Sequence, residues 1–396
     1  MPTSTLATDT GMTELPLGFN AHVANIGVKD STDDFVVIAA TAPCPAAGVF
    51  TKSRFVGPSV TVSREHVQSG IAQAMVIVSK NANVANGPTG EADARELVSG
   101  VAERLGCHPA DVLVASTGVI GRPYPMDAIR SGVAALPAQP AGRSADAAAR
   151  GIMTTDTVPK VVDVTIGDGP ARVVGIAKGV GMIEPEMATM IAVLLTDAAV
   201  DPATLDGTFR RVVDRTFNCV SVDTDTSTSD TAVILASGAA GEVDPGAFET
   251  ALDQACRELT LMIARDGEGA TKLIEVTVDT AADAAQAKAV AKAIVNSPLV
   301  KTAVHGADPN WGRVAMAIGK CSDHTDIDQG RVVIRFGAVE VYPKPLDPGE
   351  LRELSAYMRG DTVEIHVSLN TGTAAATVWG CDLSDGYVRI NADYTT

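Results

Sequence analysis

The sequence predicts a mixed α/β fold of strands interleaved with amphipathic helices. Three observations carry this. Many short segments are rich in Val, Ile and Thr and are bounded by turn-forming residues, as strands are. A smaller set of longer segments places apolar residues at helical spacing. The 396-residue chain is 46% apolar but only 4% aromatic, so a sizeable core must be filled by aliphatic side chains. Paired strands and long crossovers together indicate an α/β or α+β class.

In chain order, β-branched runs predict strands at 34–41, 74–80 and 111–117, where "DFVVIAAT", "AMVIVSK" and "DVLVAST" stand. Segments 90–106 and 126–136 repeat apolar residues every three or four positions and predict helices. "PAQPAGRSADAAAR" (137–150) has no such period and is rich in Pro and Gly, which predicts a surface linker. Strands follow at 160–166, 171–179, 190–197 and 230–238, with helices at 203–217 and 246–266. The remainder predicts strands at 272–280, 314–320, 331–337, 340–343, 361–369, 374–383 and 387–392, with one more helix at 283–297.

The formal charge of −17 repels phosphate backbones and anionic lipid, and scarce aromatics leave little to stack on bases. Nucleic-acid and membrane-surface roles are therefore disfavoured. Cys44, Cys107, Cys219, Cys256, Cys321 and Cys381 form no CxxC or zinc-ligand spacing and read as reduced thiols of a cytoplasmic protein. The first residues, "MPTSTLATDTGMTELPLGF", lack a basic stretch and an apolar core and predict no signal peptide. No window is apolar over a membrane-spanning length.

Several loops carry reactive groups. In "ASTGVIGRPYP" (115–125), Thr117 and Gly118 follow a predicted strand, where exposed N–H groups can hold a developing oxyanion; an ordinary tight turn has the same pattern. Asp223, Asp225 and Asp230 in "SVDTDTSTSDT" invite a calcium reading, but Gly and Glu are missing where a helix–loop–helix calcium site needs them. A loop whose short hydroxyls satisfy its own backbone fits better. Glu268 stands between two glycines in "ARDGEGATKLIEV". His305 in "HGADPNWGR" is a possible general base, though a structural role in a polar loop is the commoner case. The motifs of serine hydrolases, zinc proteases and nucleotide-binding loops are missing.

The junction "GMIEPEMATMIAVLLTD" (181–197) runs an acidic, proline-broken segment into an apolar strand, with Thr189 at the join. Thr189 could be a cap or the first residue of a strand. It could instead attack the preceding carbonyl of Ala188. Hydrolysis of the resulting ester would leave Thr189 as a new N-terminus, with its own α-amine as base. A free α-amine has a pKa of about 8, whereas an amide nitrogen has no useful basicity.

At this point the motifs resemble a known family. "KGVGMIEPEMATM" (178–190) is similar to the self-processing signature of the ornithine acetyltransferases, or glutamate N-acetyltransferases. "NANVANGPTGE" (81–91), "STGVIGRPYPM" (116–126), "IMTTDTVPK" (152–160), "FNCVSVDTDTSTSDT" (217–231), "DGEGATKLIEV" (266–276), "NSPLVKTAVHGADPNWGR" (296–313) and "GYVRINADYTT" (386–396) follow in family order. The resemblance implies acetyl transfer from N-acetylornithine to glutamate, giving ornithine and N-acetylglutamate, with neither metal nor organic cofactor. It implies a layered αββα arrangement like that of N-terminal-nucleophile hydrolases, with a further C-terminal α/β region. It also implies cleavage between Ala188 and Thr189. Residues 1–188 then form an α chain and 189–396 a β chain, in one intertwined unit and a heterotetramer of two α and two β chains. By motif, Thr189 is the nucleophile, Thr117 and Gly118 form the oxyanion hole, and Thr154 or Thr155, Lys178, Glu268, Asn391 and Thr396 hold substrate. Two other readings remain: an amidohydrolase or acyltransferase acting on another acylated amino acid in a specialised-metabolite pathway, and a non-catalytic binding protein in which Thr189 is only a cap.

Overall fold

The computed structural model describes residues 12–184 and 190–393. Its elements are β1 (Phe19–Ala24), β2 (Phe35–Phe50), α1 (Pro58–His66), β3 (Ile71–Val78), α2 (Gly87–Leu105), β4 (Val112–Ser116), α3 (Met126–Ala135), α4 (Ala145–Gly151), β5 (Lys160–Thr165) and β6 (Arg172–Lys178). There follow β7 (Ile191–Ala199), α5 (Pro202–Arg215), β8 (Val220–Ser221), β9 (Thr231–Glu242), α6 (Pro245–Arg265), β10 (Leu273–Ala281), α7 (Ala284–Val295), α8 (Pro298–His305) and α9 (Trp311–Gly319). The chain continues with β11 (Val333–Phe336), β12 (Val339–Tyr342), α10 (Pro348–Tyr357), β13 (Thr362–Ser368), β14 (Ala374–Cys381) and α11 (Asp385–Asp393).

Strand β2 sets the architecture by belonging to two sheets. Its first half pairs with β1 and β3, its second half with β9, and its register against β3 breaks between Ala39 and Cys44. Pro43 and Pro45 lie at that break, where a missing ladder donor is tolerated. A strand that bends and changes sheets makes a corner between two packed sheets. One sheet is β1-β2-β3-β4; the other is β2-β9-β7-β6-β5.

Alternation along the strands explains the layers. Met75 and Ile77 of β3 share a core with Ile191, Val193 and Leu195 of β7 and Val233 and Leu235 of β9, between the sheets. The opposite face of β3, Ala74, Val76 and Val78, packs under α1, α2 and α3. The opposite face of β7, Ala192 and Leu194, packs under α5 and α6. The order is helix, sheet, sheet, helix, as the resemblance implied. Because both faces of β3 and β7 are buried, these strands read as unbroken apolar runs.

Helix α6 joins this unit to the C-terminal region. Asp244 caps it by accepting from Ala247 N at 2.8 Å, and Pro245 fills the first turn, where a missing N–H costs nothing. Phe248, Leu252, Leu259 and Ile263 form its buried stripe, each contributing about 2 kcal/mol by burial. The helix touches β5 and β6 and also β14 of a separate six-stranded sheet, ordered β12-β11-β13-β10-β14-β8.

Three expectations are corrected. The predicted strand at 314–320 lies in helix α9, where Val314, Ala317 and Ile318 are buried at helical spacing. The predicted strand at 387–392 lies in helix α11, whose Val388 and Ile390 are exposed. The supposed linker holds α4: Ser144 caps it, and Ala145, Ala148 and Ala149 reach the inter-sheet core. Strand β1 and helices α1 and α8 were missed, being short and partly polar at their apolar positions.

Candidate active site

The pocket forms where β4 and β6 end. Thr117 follows β4 and is held by Thr117 N donating to Val78 O at 3.1 Å. Gly118 has φ +131°, and a Cβ there would lie 2.2 Å from the Lys80 carbonyl carbon. Only glycine lets these two backbones approach so closely. Gly118 N has no hydrogen-bond partner among the described residues.

A cavity of about 310 Å3 opens beside this turn, at the small end of ligand pockets. Thr117, Gly118, Thr154, Thr155, Lys178, Glu268 and Asn391 all line it, although they come from distant parts of the chain. Lys178, the last residue of β6, is buried and its Nζ lies 3.4 Å from the Thr117 hydroxyl. Glu268 accepts from Thr155 Oγ1 at 3.2 Å and from Asn391 Nδ2 at 2.9 Å. Between the two threonines, the structure gives the Thr155 hydroxyl this contact, while Thr154 N donates to Asp156. The pocket thus presents an ammonium, a carboxylate and a glycine turn.

The glycines around Glu268 have distinct reasons. Gly269 has φ +70°, and a Cβ there would sit 2.2 Å from Tyr387 N on α11. A Cβ on Gly181 would strike the Glu268 carboxylate carbon at 2.7 Å. Small residues therefore let α11 and the loop after β6 close on Glu268 from two sides.

Electrostatics follow from burial. Burial pushes Lys178 below the ordinary lysine value, opposed chiefly by the Asp156 carboxylate and less by Asp230 and Glu268. For Asp156, burial acts upward, but Lys178, Lys160 and the Gly179 N–H together hold it below its ordinary value. Burial, helped by Asp223, Asp225 and Glu268, pushes the Tyr387 phenol up to about 12, so it remains a neutral donor at the pocket wall.

The threonine- and aspartate-rich loop holds neighbouring backbone through its aspartates. Asp223 accepts from Met182 N at 2.6 Å and Ile183 N at 2.8 Å, and Asp225 O accepts from Glu184 N. Asp230 is fully buried and accepts from Met190 N at 2.9 Å. Among the described residues its other oxygen is buried without a partner, and burial raises its pKa well above the ordinary carboxylate value. One loop therefore anchors both Ile183–Glu184 and Met190, the described residues flanking the junction. Ala188, Thr189 and Thr396 lie outside the described residues.

His305 is not in the pocket. It ends α8, and its Nδ1 lies 2.7 Å from Asp382, which also receives the Thr271 and Lys272 N–H groups. Sequence reasoning missed Asp156, Lys160, Asp266 and Tyr387. The Asp–Lys spacing of four in "TTDTVPK" was the one local signal for an ion pair.

Comparison with known proteins gives a consistent result. The family model ArgJ matches residues 20–396. The chain is 58% identical over 381 residues to arginine biosynthesis bifunctional protein ArgJ 2 of Nostoc, covering 96% of this chain and 98% of that one. It is 58% identical over 389 residues to glutamate N-acetyltransferase Oat2 of Streptomyces clavuligerus, again covering 96% and 98%. Among solved structures, ArgJ of Bacillus halodurans is 43% identical, covering 51% of this chain and 98% of that one with a TM-score of 0.48. With 377 consecutive residues, 20 through 396, matched by one model and relatives matched end to end, the chain belongs to the ArgJ family.

Proposed function

We propose that this chain transfers an acetyl group from N-acetylornithine to glutamate, a step of arginine biosynthesis, through an acetyl ester on Thr189. The observation that carries this is the meeting of Thr117, Gly118, Lys178, Thr155, Glu268 and Asn391 in one pocket. The names of its relatives, an arginine biosynthesis protein and a glutamate N-acetyltransferase, support the same reaction.

In this reading the chain first cuts itself between Ala188 and Thr189. Residues 1–188 and 189–396 remain one folded unit, as a cytoplasmic heterotetramer of two α and two β chains. Lys178 pairs with Ile191 across β6 and β7, so the start of β7 lies beside the pocket ammonium. Thr189 is two residues before Ile191.

Chemistry proceeds by double displacement. The Thr189 hydroxyl attacks the acetamide carbonyl and passes its proton to the Thr189 α-amine. Thr117 and the Gly118 N–H stabilise the oxyanion; losing one such donor typically costs about 3 kcal/mol. The C–N bond breaks, the proton goes to the departing amine, and ornithine leaves. The glutamate amine then attacks the ester, forming N-acetylglutamate and restoring the hydroxyl. Lys178 holds the amino-acid carboxylate, Glu268 and Asn391 face the amine, and Thr155 and Thr396 also hold substrate.

The test is acetyl transfer with N-acetylornithine and labelled glutamate. Labelled N-acetylglutamate forming only when both are present supports the reading. Acetate released equally fast without glutamate overturns it.

A further inference from the structure

One buried cation has no part in the chemistry above. Lys160, at the start of β5, is fully buried, with Nζ 2.7 Å from Asp156 Oδ1 and 2.6 Å from Asp266 Oδ2. Side-chain exposures of 0%, 0% and 6% put all three ions out of water, where charges persist only if paired.

Each carboxylate also grips backbone in or next to a segment that lines the pocket. Asp156 accepts from Gly179 N at 2.7 Å, the residue after Lys178, and from Thr154 N at 3.1 Å. Asp266 accepts from Thr157 N at 3.1 Å and from the Thr157 hydroxyl. Two residues after Asp266, Glu268 N donates to Val180 O at 2.8 Å, which closes the circuit back to β6. Three separate segments, 154–157, 178–180 and 266–268, are therefore tied around one ammonium. With Lys178, the cluster holds two cations against two anions.

We propose that the Asp156–Lys160–Asp266 ion triplet is the positioning device of the amino-acid end of the pocket, setting the separation between the Lys178 ammonium and the Glu268 carboxylate. That separation reads a ligand carrying a carboxylate and an amine a fixed distance apart. Neither Lys160 nor Asp266 lines the cavity, so both act through the residues they hold. The Lys160–Asp266 pair also spans the junction at residue 189, and in the cut protein it is a buried ion pair between the two pieces. This inference rests on the pocket reading of the proposed function.

The experiment uses the full chain with Asp266→Asn, and with Lys160→Met/Asp266→Asn, which removes one charge of each sign. Ornithine binding is measured by calorimetry, the KM and kcat for N-acetylornithine by transfer to glutamate, and native packing by near-ultraviolet circular dichroism. The expected result is ornithine affinity and KM each worsened about tenfold or more in a variant with native packing, with kcat changed far less. Unchanged ornithine affinity in a natively packed variant overturns the proposal. Loss of native packing in both variants also overturns it, in favour of a folding role. If the unaltered protein binds no ornithine, the proposal falls as well. If it binds ornithine but transfers no acetyl group, the acetyltransferase reading fails, and the proposal is judged on binding alone.

Discussion

Asn391 donates to Glu268 across 2.9 Å, joining the last helix to a loop 123 residues earlier in the chain. The approach depends on Gly269, where a Cβ would meet Tyr387 N at 2.2 Å. Gly269→Ala should therefore push α11 outward and separate Asn391 from Glu268. We expect KM for N-acetylornithine to rise about tenfold or more with a smaller loss in kcat, since a misplacement of roughly 1 Å has effects of this order or larger. Steady-state kinetics check this.

Gly118→Ala should act on the other end of the pocket. Positive φ and a Cβ 2.2 Å from the Lys80 carbonyl carbon leave the new methyl no space. The turn must open, which moves both Thr117 and the Gly118 N–H. Loss of oxyanion stabilisation predicts a kcat lowered about a hundredfold or more. Thermal melting measured alongside should fall by several degrees, because backbone must shift.

Lys178 makes a prediction about alkaline pH. Its folded value lies below the ordinary lysine value because it is buried. Between the two values the unfolded chain binds more protons than the folded one, so stability rises with pH in that window. Lys178→Met should abolish this rise. Affinity for amino-acid ligands should fall over the same window as the ammonium is lost. Urea unfolding and ornithine titration between neutral pH and the ordinary lysine value read the two effects.

Asp382 makes the complementary prediction in acid. Burial raises its pKa, but the Thr271, His305 and Lys272 donors outweigh burial and hold it below the ordinary value. Its stabilisation is present above the ordinary carboxylate range and disappears as pH falls through the lowered folded value. Hydrogen bonds to a charged group predict that Asp382→Asn costs about 2 kcal/mol at neutral pH and flattens the acid limb of the stability curve. His305→Asn should leave acetyl transfer intact, which an activity assay checks directly.

Thr189→Ala should yield an uncut chain of 40.7 kDa without transferase activity. The unaltered chain should run as pieces of about 19 and 21 kDa, in proportion to its two lengths. Denaturing electrophoresis and N-terminal sequencing read the outcome; an intact, active unaltered chain would refute self-cleavage.

Local pattern was enough for β3, β7, β9, α2, α5 and α6, because each is long or β-branched enough for its period to be unambiguous. It failed at α9 and α11, where short runs fit either period. The pocket residues divide in the same way. Thr117–Gly118 and the glycines around Glu268 were visible as motifs, whereas the ion triplet was not. Asp266 lies 106 positions from Lys160, and no local rule pairs charges so far apart.

By itself, then, the sequence determined the α/β class, the acidic and aromatic-poor character, and the ordered motifs carried by Thr117, Lys178, Thr189 and Glu268. Those properties are written in composition and short spacings. Tertiary structure alone decided that Thr155 contacts Glu268 and that His305 serves Asp382. It also decided that a buried lysine ties three loops to one pocket. The physical reason is that hydrogen bonds and ion pairs act over about 3 Å in space and carry no trace of their separation along the chain.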